Sequence, residues 1–520
     1  MNSPRDDSQR EVFEFLQNPR TYGLSNPVTR IDTHGAAVFL CGADVYKVKR
    51  AVRFPFMDFS TLAKRQAACE AEIAVNRANA PGLYLGTVPV TRDGGALHLG
   101  GDGPVVEWTV HLRRFDENAT LDRLIGKGSL GASLIDSLAQ AILASHRRAP
   151  VGDGAAATAA LRQALEETSD ELVKATDLFP ARESEAFGAA LRAAFDRVEP
   201  LLLRRGAAGQ VRLCHGDLHL GNIVLIENAP VLFDAIEFND DIATIDILYD
   251  LAFLIMDLCK HDRRDDANRL LNRYISSAQD VARQIEGLAA FPLFLSLRAA
   301  IRARVLWERM RLAPGPSSQR QEALPYFSAA GAFLRPVPPC LIAIGGVSGT
   351  GKTTLARAIA PEIGLAPGAL HLRSDVERKR HFHVEETGQL PAKAYGPGVS
   401  QTVYGKLRTL TEAALGAGRS VVVDATYRDA GERSAIEIVA KRANVPFHGI
   451  WLDAPVETLM RRVTERQGDA SDATSEVVAE QAQAPALDIA WHRIDTSRGW
   501  DAVKSTARAI IRGEADSSSL

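Results

Sequence analysis

Five cysteines in 520 residues, at positions 41, 69, 214, 259 and 340, are too few and too scattered for a disulfide framework. No two of them form a C-x-x-C pair, so zinc-ribbon and thioredoxin spacings are missing and a reducing compartment is expected. Long apolar runs are missing too: 251–256 is among the longest and is far too short to span a bilayer. Neither sign of charge dominates. Lys+Arg 61 against Asp+Glu 64 leaves −3, a balance that recommends neither nucleic acid nor a membrane surface as partner. The first seven residues, Met1 to Asp7, are polar and acidic without an apolar core, so the expectation is no signal peptide and a cytoplasmic protein. What is present in quantity is ordinary globular composition, 46% hydrophobic and 24% charged, in a chain too long for one core. Two or three domains follow.

Strand-like text comes first. Residues 36–41 and 44–49 flank Gly42-Ala43 and read as a hairpin, a charged helical stretch covers 61–79, and 105–112 reads as a further strand. From Leu121 to about Leu203 the period is helical. The closely spaced prolines Pro336, Pro338 and Pro339 end helical text and mark a boundary. Beyond them, apolar strands at 341–345, 420–424 and 447–452 alternate with helical stretches, the βαβ pattern of a parallel sheet. The domains expected are therefore 1–335 and 336–512, with a disordered tail at 513–520.

Two motifs carry chemistry, and both handle phosphate. His215-Gly216-Asp217-Leu218-His219-Leu220-Gly221-Asn222 places a carboxylate and an amide five residues apart on one loop, and Asp234 follows twelve residues after Asn222. Phosphoryl transfer needs a carboxylate to orient and deprotonate the acceptor hydroxyl, hard oxygen ligands for Mg²⁺ and a cation on the phosphates. Asp217 supplies the first, Asn222 and Asp234 the second. The stretch resembles the His-Gly-Asp-x-His-x-x-Asn loop of the aminoglycoside and choline phosphotransferases, and residues 246–252 are similar to the segment that follows in that family. The resemblance implies a two-lobed α+β protein-kinase-like fold over 1–335 that uses ATP. It makes the early hairpin the nucleotide lobe, with Lys47 on the phosphates and Lys49, on the same strand face, as competitor. The lysine's helix partner would be Glu70 or Glu72, and 112–115 occupies the place of the adenine-contacting hinge. The glycine-rich loop of such folds is represented by Gly35 alone.

The second motif is Gly346-Val347-Ser348-Gly349-Thr350-Gly351-Lys352-Thr353-Thr354, behind the apolar 341–344 and before helix-forming text. It satisfies G-x-x-x-x-G-K-[ST] in a strand–loop–helix context: glycines let backbone N–H groups wrap phosphates, Lys352 reaches them, and Thr353 offers a hydroxyl to Mg²⁺. Asp424, ending the strand-like 421–424, is the expected second Mg²⁺ group. Ser374-Asp375-Val376-Glu377-Arg378 resembles the S-D-x-x-R segment of P-loop small-molecule and polynucleotide kinases, and 461–473 looks like the lid of gluconate-kinase-like and zeta-toxin-like proteins. The resemblance implies an α/β P-loop NTPase fold in which Asp375 activates an acceptor hydroxyl and Arg378 steadies the phosphates. Arg462 and Arg466, one turn apart, would clamp the transferring group. His371, His381 and His383 have no metal-ligand spacing and read as incidental.

The joint expectation is a bifunctional ATP- and Mg²⁺-dependent phosphotransferase acting on small hydroxylated molecules. A nucleotide-sensing protein with one active domain and a polynucleotide kinase are the alternatives, the latter resting on S-D-x-x-R alone.

Overall fold

The computed structural model describes residues 9–33, 35–54, 57–128, 130–312, 318–386, 388–465, 470–472, 474–476, 478–479 and 488–514. Arg466 and the expected disordered tail beyond 514 lie outside them. The chain forms two compact units, Met1–Glu167 with Glu199–Asp257, and Thr168–Val198 with Leu258–Leu520.

The first unit is built on a six-stranded antiparallel sheet. In spatial order its strands are Thr29–Asp32, Ala36–Cys41, Asp44–Lys49, Val105–Arg113, Tyr84–Asp93 and Ala96–Leu99. The expected hairpin is present, with Ala36 opposite Lys49 and Cys41 opposite Asp44. Thr29–Asp32 joins this sheet without a sequence signal, because its residues are mostly exposed and give no apolar alternation. Helix Leu62–Arg77 opens on Thr61, whose hydroxyl accepts the Lys64 N–H at 3.3 Å. Its buried residues, Arg65, Ala68, Cys69, Glu72 and Asn76, recur at helical spacing and form one stripe. The loop bearing Asp217 is followed by the hairpin Ile223–Ile226 and Ala229–Leu232. Glu227 (φ 51°) and Asn228 (φ 64°) supply the two positive φ values that a type I′ turn requires.

The second unit carries a five-stranded parallel sheet in the order Leu370–Arg373, Val421–Asp424, Leu341–Gly345, Phe447–Asp453, His492–Asp495. Leu341–Gly345 and Val421–Asp424 are buried throughout, which is why they read as unbroken apolar runs. Ile342, Ile344, Val422, Ile450 and Leu452 pack against Leu355 and Ile359 of helix Lys352–Ile359 and against Val503 and Ile510 of helix Trp500–Arg512. Residues 258–312 and 318–335 belong by contact to this unit, so the compact units do not divide at Pro336. One stretch corrects the hydropathy reading: Val281–Arg311 is long and apolar enough to cross a membrane by length and composition, and 78% of its most apolar window is buried. Arginines interspersed along it divide its apolar text into short runs.

Candidate active sites

In the first unit, Lys47 and Lys49 project from one face of their strand toward helix Leu62–Arg77. Lys47 Nζ donates to Glu72 Oε1 at 2.9 Å and to Asp234 Oδ1 at 2.6 Å. Lys49 Nζ pairs with Glu72 Oε2 at 2.5 Å and with Glu237. Burial works against a charged Lys47, but the carboxylates of Asp234, Glu72 and Glu237 outweigh it and hold its pKa well above the ordinary value. Burial likewise works against an ionised Glu72, and the two lysines overcome it, bringing its carboxyl to about 2. Glu237 goes the other way: burial lifts its carboxyl despite Lys49. Two cations therefore share one fully buried carboxylate, and Asp234, in the left-handed region at φ 59° with its N–H against the Tyr84 hydroxyl at 3.0 Å, faces the outer lysine.

The loop with Asp217 is held from behind. Helix Ile247–Lys260 presents Asp250 and Asp257, two turns apart and so on one face; Asp250 Oδ1 accepts the Gly216 N–H at 2.9 Å and Asp257 Oδ2 the Leu220 N–H at 3.1 Å. His146 donates to the other oxygen of Asp250 at 3.0 Å. His215 is buried and turned to the Phe233 carbonyl at 2.9 Å, joining this loop to the one with Asp234. Burial lowers its pKa against the pull of Asp250, Asp217 and Asp234, so the imidazole is neutral and its Nε2–H donates. Asn222 spends its amide nitrogen on Asp217, at 3.0 Å to the carbonyl and 3.1 Å to Oδ2, which turns the amide oxygen the other way. Asn222 oxygen and the half-exposed Asp234 carboxylate are hard donors of the kind Mg²⁺ takes, so the residues fit that ion.

In the second unit, the turn from Gly346 to Gly351 leads from strand Leu341–Gly345 into helix Lys352–Ile359. Gly351 stands at φ 89°, and a Cβ there would lie 2.2 Å from the Trp500 ring, so no other residue fits. Thr350 Oγ1 and Lys352 Nζ both donate to the Val347 carbonyl, at 2.8 and 3.0 Å, which folds the turn on itself. Asp424 ends the neighbouring strand, opposite Ile344 on one side and Arg373 on the other. Burial opposes its charge, but His371, hydrogen-bonded at 2.6 Å, with Arg373 and Lys352 beyond, keeps the carboxyl well below its usual range. The Thr353 hydroxyl at the helix start and this carboxylate are hard oxygen donors of the kind Mg²⁺ takes, so these residues fit that ion.

Several sequence expectations change. Glu70 is not the lysine's partner: it lies off the buried stripe and takes a hydrogen bond from Gln66 at 3.0 Å, while Glu72 faces both lysines. Arg378 is buried, donates to the Ala394 carbonyl at 2.6 Å and stacks 4.9 Å over Tyr395, so it braces the 391–400 segment instead of reaching for phosphates. Arg462 turns to Thr496, at 2.9 Å to Oγ1 and 2.8 Å to the carbonyl, over the Trp500 ring, and is no phosphoryl clamp here. His371 is not incidental, because its ring orients Asp424. Asp375 sits in the first turn of helix Ser374–His381, part-buried. The motifs give no role to Glu237 or Asp257 and include Asp250 only within the 246–252 resemblance; the seven-residue spacing of Asp250 and Asp257 on one helix is the signal that pairs them.

Two family models match, one to each site. Residues 43–288 match the phosphotransferase enzyme family, and residues 341–486 match an AAA domain. Kinase-type phosphotransferase and P-loop regions thus stand in one polypeptide. Uncharacterized proteins of Mycobacterium tuberculosis and Mycobacterium bovis are similar end to end, 29% identical over 511 residues, covering 96% of this chain and 96% of theirs. Among solved structures, a choline/ethanolamine kinase family protein from Mesorhizobium loti matches 63% of this chain and 95% of its own, at TM-score 0.39 and 14% identity. A gluconokinase from Sinorhizobium meliloti matches 35% of this chain and 95% of its own, at TM-score 0.24 and 19% identity.

Proposed function

We propose that this protein is a bifunctional, cytoplasmic, ATP- and Mg²⁺-dependent phosphotransferase with one catalytic centre per unit, each acting on a hydroxyl of a small molecule such as a sugar or amino sugar. The observation that carries the reading is the Lys47 ammonium bridging Glu72 and Asp234 beside a loop that offers Asp217 and Asn222. In the first centre Asp217 accepts the proton of the acceptor hydroxyl as its oxygen bonds to the γ-phosphorus and the bond to the leaving diphosphate breaks. Lys47 meets the phosphates, and Glu72 fixes its position. Asn222 and Asp234 hold Mg²⁺, which neutralises charge on the phosphates when bound. In the second centre the 346–351 backbone and Lys352 hold the phosphates, Thr353 and Asp424 are the metal groups, and Asp375 is the base. Five free cysteines are in keeping with a reducing cytoplasm.

One observation favours a second reading for the P-loop centre. With Arg378 and Arg462 engaged elsewhere, Lys352 is, among the described residues, the one cation left of those expected around the transferring group, which suits a nucleotide-binding regulatory module. ATP turnover against a panel of sugars, amino sugars and nucleosides separates the two. Asp217→Ala should lower one set of activities by about 10²–10⁴-fold, as loss of a general base does, and Lys352→Ala another set. If neither variant lowers any turnover, the two-kinase reading is wrong; if Asp217→Ala alone acts, the P-loop centre is a binding module.

A further inference from the structure

The strand Leu370–Arg373 is an edge of the parallel sheet. Leu370 gives its N–H inward to the Ser420 carbonyl at 2.9 Å, so the Ala369 carbonyl and the His371 N–H face outward, where edge strands leave such groups unpaired. Here helix Arg264–Ser277 meets them. Asn272 Oδ1 accepts the His371 N–H at 2.8 Å and Asn272 Nδ2 donates to the Ala369 carbonyl at 3.2 Å; Asn268 Nδ2 donates to that carbonyl at 3.0 Å. A group that takes the carbonyl of one residue and the N–H two residues on is what a parallel neighbouring strand provides. The Asn272 carboxamide stands in for that strand.

The helix grips both ends of the edge. Arg264 donates to the carbonyls of Gly364 (3.0 Å) and Pro367 (3.3 Å), while the buried Arg419 takes those of Leu365, Ala366 and Gly368. Five consecutive carbonyls of the loop before the strand are thus fixed by two arginines. Past the strand, Glu386 joins Arg273 to Arg373, and the Ser276 carbonyl accepts from Arg380 at 2.6 Å. By sequence, 264–277 lies within the phosphotransferase-family match and outside the AAA-domain match, yet it completes the P-loop sheet.

We propose that Asn272 is a positioning residue for the P-loop centre, acting through His371 on Asp424. His371 lies opposite Val422 in the register, and Asp424, two residues on, shares its face; the Nε2–Oδ2 contact of 2.6 Å orients the carboxylate. The backbone that carries His371 is set from outside by the Asn272 oxygen. Without that oxygen, Asn268 still holds Ala369, but the His371 end of the edge is released and Asp424 loses its aim. The P-loop centre therefore depends on residues that the sequence assigns to the other family's segment.

The proposal rests on reading this centre as a Mg²⁺–nucleotide site, and the test separates the two. AMP-PNP binding to the full-length protein is measured calorimetrically across a Mg²⁺ titration, the P-loop component being the one that Lys352→Ala removes. Asn272→Ala should raise the Mg²⁺ concentration for half-maximal binding about tenfold, the scale of losing a group that orients a metal ligand, while metal-free AMP-PNP binding stays as in the wild type. Asn272→Asp, which keeps an oxygen for the His371 N–H, should recover most of the shift. An unchanged Mg²⁺ requirement, or an equal loss with and without Mg²⁺, would overturn the positioning role. Should Asn272→Ala not fold, His371→Gln reads the same axis, and an unchanged Mg²⁺ requirement there overturns it equally. If Lys352→Ala removes no component, the nucleotide reading itself fails and takes the proposal with it.

Discussion

Lys47, Asp217, Asn222 and Asp234 are gathered from separated stretches of the first unit, whereas Gly346 to Thr353 is one continuous stretch of the second, a turn and the start of its helix. The first centre is an arrangement of side-chain charges; the second is an arrangement of backbone N–H groups with one lysine. A site of the first kind depends on buried electrostatics, because its cations are held only as long as their carboxylates are. A site of the second kind depends on space, because the chain has to curl where a side chain would block it.

The largest effect expected from this difference is at Glu72. It is fully buried, and both Lys47 and Lys49 lean on it, so Glu72→Gln leaves two cations in a poorly hydrated place with their shared counter-charge gone. Breaking a buried pair this way costs about 3–5 kcal/mol, to be read as a lower denaturant midpoint for the first unit. Glu70→Gln, two residues away on the exposed side, should stay within about 0.5 kcal/mol. Equal effects at the two positions would remove the electrostatic half of the comparison.

A smaller effect tests the steric half. Gly351→Ala drives a methyl into the Trp500 ring and keeps an L-residue at positive φ, a combination costing about 2–4 kcal/mol. Gly216, at φ 80° on the Asp217 loop, would place its Cβ 3.0 Å from the end of the flexible Ile236 side chain. Gly216→Ala should therefore cost about 1–2 kcal/mol, mostly the backbone term. Scanning calorimetry of the two variants gives the order, and AMP-PNP binding should be lost in the Gly351 variant.

The same contrast decides what could be read from the sequence. Both motifs were legible because their chemistry is local: a carboxylate and amide on one loop, and a glycine turn between a strand and a helix, keep their spacing whatever the rest of the fold does. The parallel order around Leu341–Gly345 was visible in the apolar runs for the same reason. Side-chain destinations were not. Helix Leu62–Arg77 is alanine-rich on several faces, so its apolar pattern does not give the phase that separates Glu70 from Glu72. Arg378 and Arg462 sit where a motif would put them, but Ala394, Tyr395, Thr496 and Trp500, distant in sequence, determine where the guanidiniums go. His371 acquires its role from strand register, and Asn272 from an edge that another helix covers; neither leaves a trace in spacing.

The smallest effect separates the two centres by pH. His215 is buried with its Nε2–H on the Phe233 carbonyl, and burial holds its pKa below the ordinary value although Asp250, Asp217 and Asp234 all pull it upward. The unfolded chain takes up a proton below about pH 6.5 that the folded loop does not, so stability is full above that value and falls as the pH drops through it. The slope is at most about 1.4 kcal/mol per pH unit for one histidine. The amide of Ile236, donated to the His215 carbonyl at 3.0 Å, reports the loop directly. After correction for intrinsic rates, its hydrogen-exchange protection should decline from pH 7 to 5.5 in the wild type and stay level in His215→Gln. Backbone N–H groups do not titrate in that interval, so the exchange protection of the Leu355 amide, donated to the Gly351 carbonyl at 3.0 Å, should change little across it. A parallel decline at both centres would mean that the P-loop turn is tied to a titrating side chain after all, and the division between a charge-built and a backbone-built site would fail at that point.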